Sequence, residues 1–160
     1  MTEEGERALL ADYLATLDRL HAGFQKTVGF VAPLMPMDAN RIDALSYEDE
    51  SNILTFLKRF EQFEDALHRA LKAISKIMEH GKIERLTSVD VTRRAHALGI
   101  LPSEKVWADA VRTRNALAHE YPLNPGKRAA QVNTAWAARD TLFVTWASIG
   151  RFIEDEGLLS

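Results

Sequence analysis

Between Val111 and Tyr121 the chain reads VRTRNALAHEY, which places two arginines, an asparagine, a histidine and a tyrosine within eleven residues. Arg112, Asn115 and His119 follow at steps of three and four, so on a helix they stack along one edge. Asn115, one turn before His119, is placed to hydrogen-bond an imidazole nitrogen and fix its tautomer. Arg114 falls on a different face. It stands four residues after Ala110 and three before Leu117, inside an apolar stripe that also holds Trp107, Val111 and Ala118. An arginine aimed at an apolar surface is costly unless it meets a carboxylate, a phosphate or a partner chain, or unless its stem snorkels the head out to water. Arg114 and His119 are five residues apart, roughly 140° around an ideal helix. One chain aims both at a common atom only if the last turn unwinds. The other route is a dimer in which they meet across the interface, which would also give the arginine its setting.

Such a set could cut RNA without a metal. The reaction needs a base for the 2′-hydroxyl, an acid for the leaving 5′-oxygen and cations for the charge on the phosphorane. Histidine titrates near neutrality and can carry the proton, and arginines hold phosphate through paired hydrogen bonds. A histidine at a helix end is, taken alone, more often a C-terminal cap. The neighbouring arginines, asparagine and tyrosine shift the reading toward chemistry. No activated serine or cysteine, glycine-rich phosphate loop or carboxylate cluster competes with it. His119 is followed by Glu and Tyr rather than by a second histidine, so no zinc pair forms there and no metal is expected.

The elements that must position these residues are helices. Four long segments carry a helical period, a shorter one lies among them, and none alternates as a strand would. Residues 2–31 form the first, capped by Thr2, with Leu10, Leu14, Leu17, Leu20, Phe24, Val28 and Val31 on one stripe. Pro33 and Pro36 then break the pattern. Residues 49–80 form the second, with Ile53, Phe56, Phe60, Phe63, Leu67, Leu71, Ile74 and Met78 as core and Gly81 as its stop. Glu64 with His68, and Asp65 with Arg69, sit four apart on its other face, the pattern of a solvated surface. A short helix runs from Ser88 or Asp90 to Leu98 and is stopped by Gly99. Ser103 caps a helix reaching about Ala118, before a break at Pro122, Pro125 and Gly126. Residues 127–154 form the last, turning Val132, Trp136, Phe143, Trp146, Ile149 and Ile153 inward. Long helices with modest loops predict an all-α antiparallel bundle, a single domain over residues 1–160.

Composition agrees with an ordinary globular chain of 160 residues, 46% hydrophobic and 27% charged. There is no cysteine, which excludes a disulfide framework. The opening MTEEGER is acidic rather than basic-then-apolar, and no uncharged apolar run reaches membrane length, so a cytoplasmic protein off the membrane is expected. A net charge of -3 argues against broad electrostatic binding of nucleic acid, leaving any RNA contact to a local basic cluster.

At these residues the chain resembles the HEPN superfamily. RNALAH (residues 114–119) fits its R-x4-6-H pattern, with a polar residue directly after the arginine, and Tyr121 extends the fit to R-x4-H-x-Y. That form is typical of HEPN toxins paired with a minimal nucleotidyltransferase antitoxin. The stretch RFEQFEDALHRAL (residues 59–71) is similar to the preceding long helix of such proteins, and the resemblance covers residues 49–154, the helix at 2–31 packing onto that core. It implies a metal-independent endoribonuclease, without cofactor, acting on RNA as a homodimer with a shared active-site cleft. By position, Arg114 and His119 would be the catalytic pair, with Asn115 in support. Tyr121 would be the residue to which the nucleotidyltransferase adds AMP, placing bulk and negative charge beside His119. Arg112 is a phosphate-binding candidate from spacing alone. Two other readings stand beside this one: a non-catalytic HEPN-like subunit holding a nucleotide or a nucleotidyltransferase, and a structural helical dimer. Pro122 stiffens the loop and bears on how far Tyr121 can reach.

Overall fold

The computed structural model describes residues 2–80 and 85–159, and every regular element among them is helical. Helix α1 is Glu3–Val31, α2 Ala39–Asp43, α3 Tyr47–Met78, α4 Ser88–Ala97, α5 Glu104–His119 and α6 Pro125–Glu156. A 3-10 turn at Ala32–Leu34 follows α1. Compared with expectation, α2 is an added five-residue helix, capped by Asp38, in a stretch whose prolines suggest only a break. The segment holding Arg114 is a sixteen-residue helix, half the length of α3 or α6.

Helix starts follow the capping rules. Thr2 and Ser103 accept the amide protons of Gly5 and Val106 at 3.0 and 3.2 Å. Thr87 and Asp90 form a reciprocal capping box that fixes the start of α4 at Ser88. Asn124 caps α6, with Pro125 at its first position, two residues earlier than periodicity suggests. Gly99, at φ +81°, takes the left-handed conformation that ends α4. Gly81, expected as the stop of α3, lies outside the described residues; α3 itself ends at Met78, and His80 adopts a φ of 53°.

Helix α1 runs antiparallel along α3, with Glu6 opposite Lys76 at one end and Phe24 against Phe56 and Phe60 at the other. Its fully buried residues are Leu10, Leu17, Phe24 and Val31, an unbroken seven-residue repeat flanked by the half-buried Leu14, Leu20 and Val28. A strict repeat of seven keeps one seam facing one partner. Helix α5 is antiparallel to α3, and α6 antiparallel to α5. The α6 seam differs from expectation. Its buried line is Ala129, Val132, Ala135, Leu142, Thr145, Ile149 and Ile153, while Trp136, Phe143 and Trp146 are only half-buried at its flanks. The aromatics pack against the core from its flanks, Trp146 stacking on His21 at 3.8 Å. No helix among the described residues is long and apolar enough to cross a membrane.

The connection between α1 and α3 is tied to α6 by one side chain. Asn133 accepts the Met37 amide proton at 2.8 Å and donates its own amide to the Met37 carbonyl at 2.8 Å. Both backbone groups of Met37 are thereby satisfied away from any helix. Asn133→Ala should lower the free energy of unfolding by about 1–3 kcal/mol in urea denaturation, and a loss below about 0.5 kcal/mol would show that water replaces the clamp at no cost.

Candidate functional site

Helix α5 carries the VRTRNALAH segment as regular helix to its end. His119 is its last helical residue, and the Glu120 amide bonds the Ala116 carbonyl at 2.8 Å. The last turn therefore does not unwind, and Arg114 and His119 stay roughly 140° apart on one chain.

Arg114 meets a carboxylate within its own chain. Its Nε donates to Glu64 Oε2 at 2.7 Å. Glu64 is wholly enclosed, at 0% exposure, while the arginine side chain keeps 24%. The remaining oxygen, Oε1, is buried with no hydrogen-bond partner. Burial pushes the Glu64 carboxyl up to about 7, against the pull of the Arg114 guanidinium beside it. This corrects two expectations. Glu64 and His68 belong to no solvated face, and Arg114 needs no second chain for its setting.

His68, one turn further along α3, extends the cluster. Its Nδ1 accepts the indole proton of the buried Trp107 at 3.2 Å, with the two rings nearly coplanar at 3°. Burial, with the positive charge of Arg114 adding to it, brings the imidazole down to about 4. At neutral pH the ring is uncharged. Since Nδ1 accepts from Trp107, the ring proton resides on Nε2. Glu64 with Arg114, and His68 with Trp107, thus form two adjacent polar pairs in the seam between α3 and α5, coupled by the Arg114 charge.

The other predicted residues do not join them. Arg112 points away from Arg114, by roughly 200° on the helix, and pairs with Asp109, which also meets Lys105. It opens on the groove between α5 and α6 beside Thr113 and Ala116. Asn115 and His119 are both exposed and make no side-chain hydrogen bond or ion pair among the described residues, so the expected bond between them is not formed. Tyr121 lies past the helix end at 72% exposure, beside a small cleft bounded by Leu54, Leu57, Pro122 and Arg128. Among the described residues no group of three or more His, Asp or Glu could hold a metal ion.

The sequence signal for Glu64 is the one that singled out Arg114. Glu64 stands four residues after Phe60 and three before Leu67, as Arg114 stands between Ala110 and Leu117. Two opposite charges, each set into an apolar stripe, complement each other.

Glu64 and His68 give the folded state opposite pH dependences. A carboxyl whose pKa rises on folding stabilises at low pH, and this contribution fades as pH rises from 4.5 to about 7. An imidazole whose pKa falls on folding contributes fully above 6.5, and that contribution is lost as pH falls toward about 4. The two offset in the intact chain. Relative to it, Glu64→Gln should gain stability between pH 4.5 and 6.5 and His68→Gln should lose it, read as urea midpoints at both pH values. Slopes of the same sign would refute the opposed pair.

No family model, curated protein or solved structure matches the chain.

Proposed function

We propose that the chain is a metal-independent endoribonuclease, the toxin of a toxin–antitoxin pair, that works as a homodimer. The observation that carries this reading is the anchored arginine beside a free histidine. Glu64 engages only Nε of Arg114, which leaves the two terminal nitrogens of a partly exposed guanidinium for a phosphate. Five residues on, His119 is exposed, with no side-chain bond among the described residues. Because α5 stays helical through His119, the pair converges only when a second chain brings its own α5 alongside. Each site then takes Arg114 from one chain and His119 from the other.

In that cleft Arg114 holds the non-bridging oxygens of the scissile phosphate. His119 takes the 2′-hydroxyl proton as the 2′-oxygen bonds to phosphorus, and a histidine proton goes to the 5′-oxygen as its bond to phosphorus breaks. The products are a 2′,3′-cyclic phosphate and a free 5′-hydroxyl, with no water consumed. Tyr121, two residues beyond His119 and exposed, is the point where a partner nucleotidyltransferase adds AMP: the phenolic oxygen bonds the α-phosphorus of ATP and pyrophosphate leaves. The added phosphate would repel an RNA backbone from the same cleft.

His119→Ala tests the chemistry cleanly, because the side chain supports nothing else. In buffer with a metal chelator the unaltered protein should cleave RNA and the variant should be slower by roughly 10²–10⁴-fold. Its expression in bacteria should also be tolerated where that of the unaltered chain arrests growth. Equal cleavage by both, or none by the unaltered protein, would refute the reading.

A mixing experiment tests the shared site. Arg114→Lys keeps a charge on Glu64 but loses the paired hydrogen bonds. Combined in equal amounts with His119→Ala under subunit exchange, it should restore about a quarter of full activity, since half the dimers are mixed and each has one intact site. No restoration would place Arg114 and His119 of a single chain in each site.

A further inference from the structure

Glu64, His68, Lys72 and Lys76 follow one another on α3 at steps of four residues. Four residues turn the helix through about 400°, so the row drifts about 40° at each step. It begins facing α5, where Glu64 meets Arg114, and ends facing α1, where Lys76 lies 3.8 Å from the buried Glu6. Between these ends, on the surface shared by α1 and α3, lies a pocket of about 440 Å³, lined by Glu6, Tyr13, His68, Arg69, Lys72 and Lys76 among others.

The charges around this pocket are unequal in their freedom. Lys76 is matched by Glu6, and Arg69 by Asp65 at 2.9 Å. Lys72 is half-buried in the wall and has no acidic partner among the described residues. His68 adds a neutral donor. With Nδ1 committed to Trp107, Nε2–H is the one polar edge of the ring left to meet the pocket. A recessed, unpaired ammonium beside a fixed neutral N–H suits an anion, and Glu6, held by Lys76, closes the far end.

We propose that this pocket binds a phosphodiester of the RNA strand, some nucleotides away from the scissile one, with Lys72 as its cation and His68 as its neutral donor. The proposal rests on the nuclease reading for the identity of the strand. Lys72 is eight residues from Glu64 along α3, about 12 Å at 1.5 Å per residue. A single strand held at Arg114 can therefore reach it along the surface of the same helix. The contact is to backbone and carries no base preference. It would supply the local basic feature that a chain of net charge -3 needs to hold RNA.

The test is the salt dependence of binding a short single-stranded 2′-O-methyl RNA, which cannot be cleaved, by fluorescence anisotropy. Lys72→Gln should weaken binding for all sequences alike and reduce the slope of log K against log salt by about 0.7, the loss of one single-strand phosphate contact. Lys72→Arg should restore the slope. Inorganic phosphate should compete at this contact in the unaltered protein and lose that effect in Lys72→Gln. An unchanged slope in Lys72→Gln, or no binding of the oligonucleotide at all, overturns the proposal. Binding of inorganic phosphate by a protein that does not bind the oligonucleotide also overturns it, by showing a free-phosphate site. Cleavage of unmodified RNA is followed in parallel: intact cleavage with an unchanged slope sinks only the pocket. A lost slope in a chain that cuts nothing sinks only the nuclease.

Discussion

A charged carboxyl group with no access to water must find a cation or take up a proton, and Glu64 stands at the balance of those two outcomes. Arg114 supplies the cation through one nitrogen, and the orphaned Oε1 keeps the desolvation only partly compensated. That single pair ties the middle of α3 to residues 111–119 of α5. It also fixes the guanidinium in place, because rotating it away would strand the carboxylate. The arrangement therefore favours a set orientation of Arg114 more than it favours stability.

The network around it is built so that each charge acts on its neighbour. Arg114 helps to keep His68 neutral; neutral His68 can accept from Trp107; and Trp107, fully enclosed, needs that acceptor because an indole N–H cannot be left unbonded in the core at low cost. The apolar seam between α3 and α5 thus holds two hydrogen-bonded pairs, Arg114 with Glu64 and Trp107 with His68, coupled by the charge of Arg114. The guanidinium of Arg114 is partly exposed, and His68 also lines the pocket beside Lys72. His119 and Tyr121 lie apart from these pairs, exposed on the last turn and the loop beyond it.

Much of the architecture was legible from local pattern. The stripes of α1 and α3, the caps at Thr2 and Ser103 and the stop at Gly99 are set by interactions within a few residues, and sequence exposes such interactions directly. The five-residue α2 was not legible, since so short a helix has too few residues for periodicity and is held by its Asp38 cap and by the Asn133 clamp on Met37 next to it. In α6 the periodicity places Trp136, Phe143 and Trp146 inward, but they lie half-buried at the flanks of a line that includes Ala129, Ala135, Leu142 and Thr145. At the site, Arg114 was conspicuous but its partner was not. Fifty residues separate the two, and reading i,i+4 charges on α3 as a surface pattern hid the carboxylate that completes it. Arg112, Asn115, His119 and Tyr121 stand apart from that pair on the surface of the chain.

The four-residue row on α3 also bears on how this helix can change over generations. Each of its members owes its direction to the number of residues before it rather than to any loop that could absorb a shift. Inserting or deleting one residue between Glu64 and Lys72 would swing everything beyond it through about 100°, turning Lys72 from its pocket and Lys76 from Glu6 at one stroke. Single substitutions along the exposed flank of the same stretch disturb neither. Within this stretch of α3 a change of length therefore disturbs more contacts than a substitution on its exposed flank.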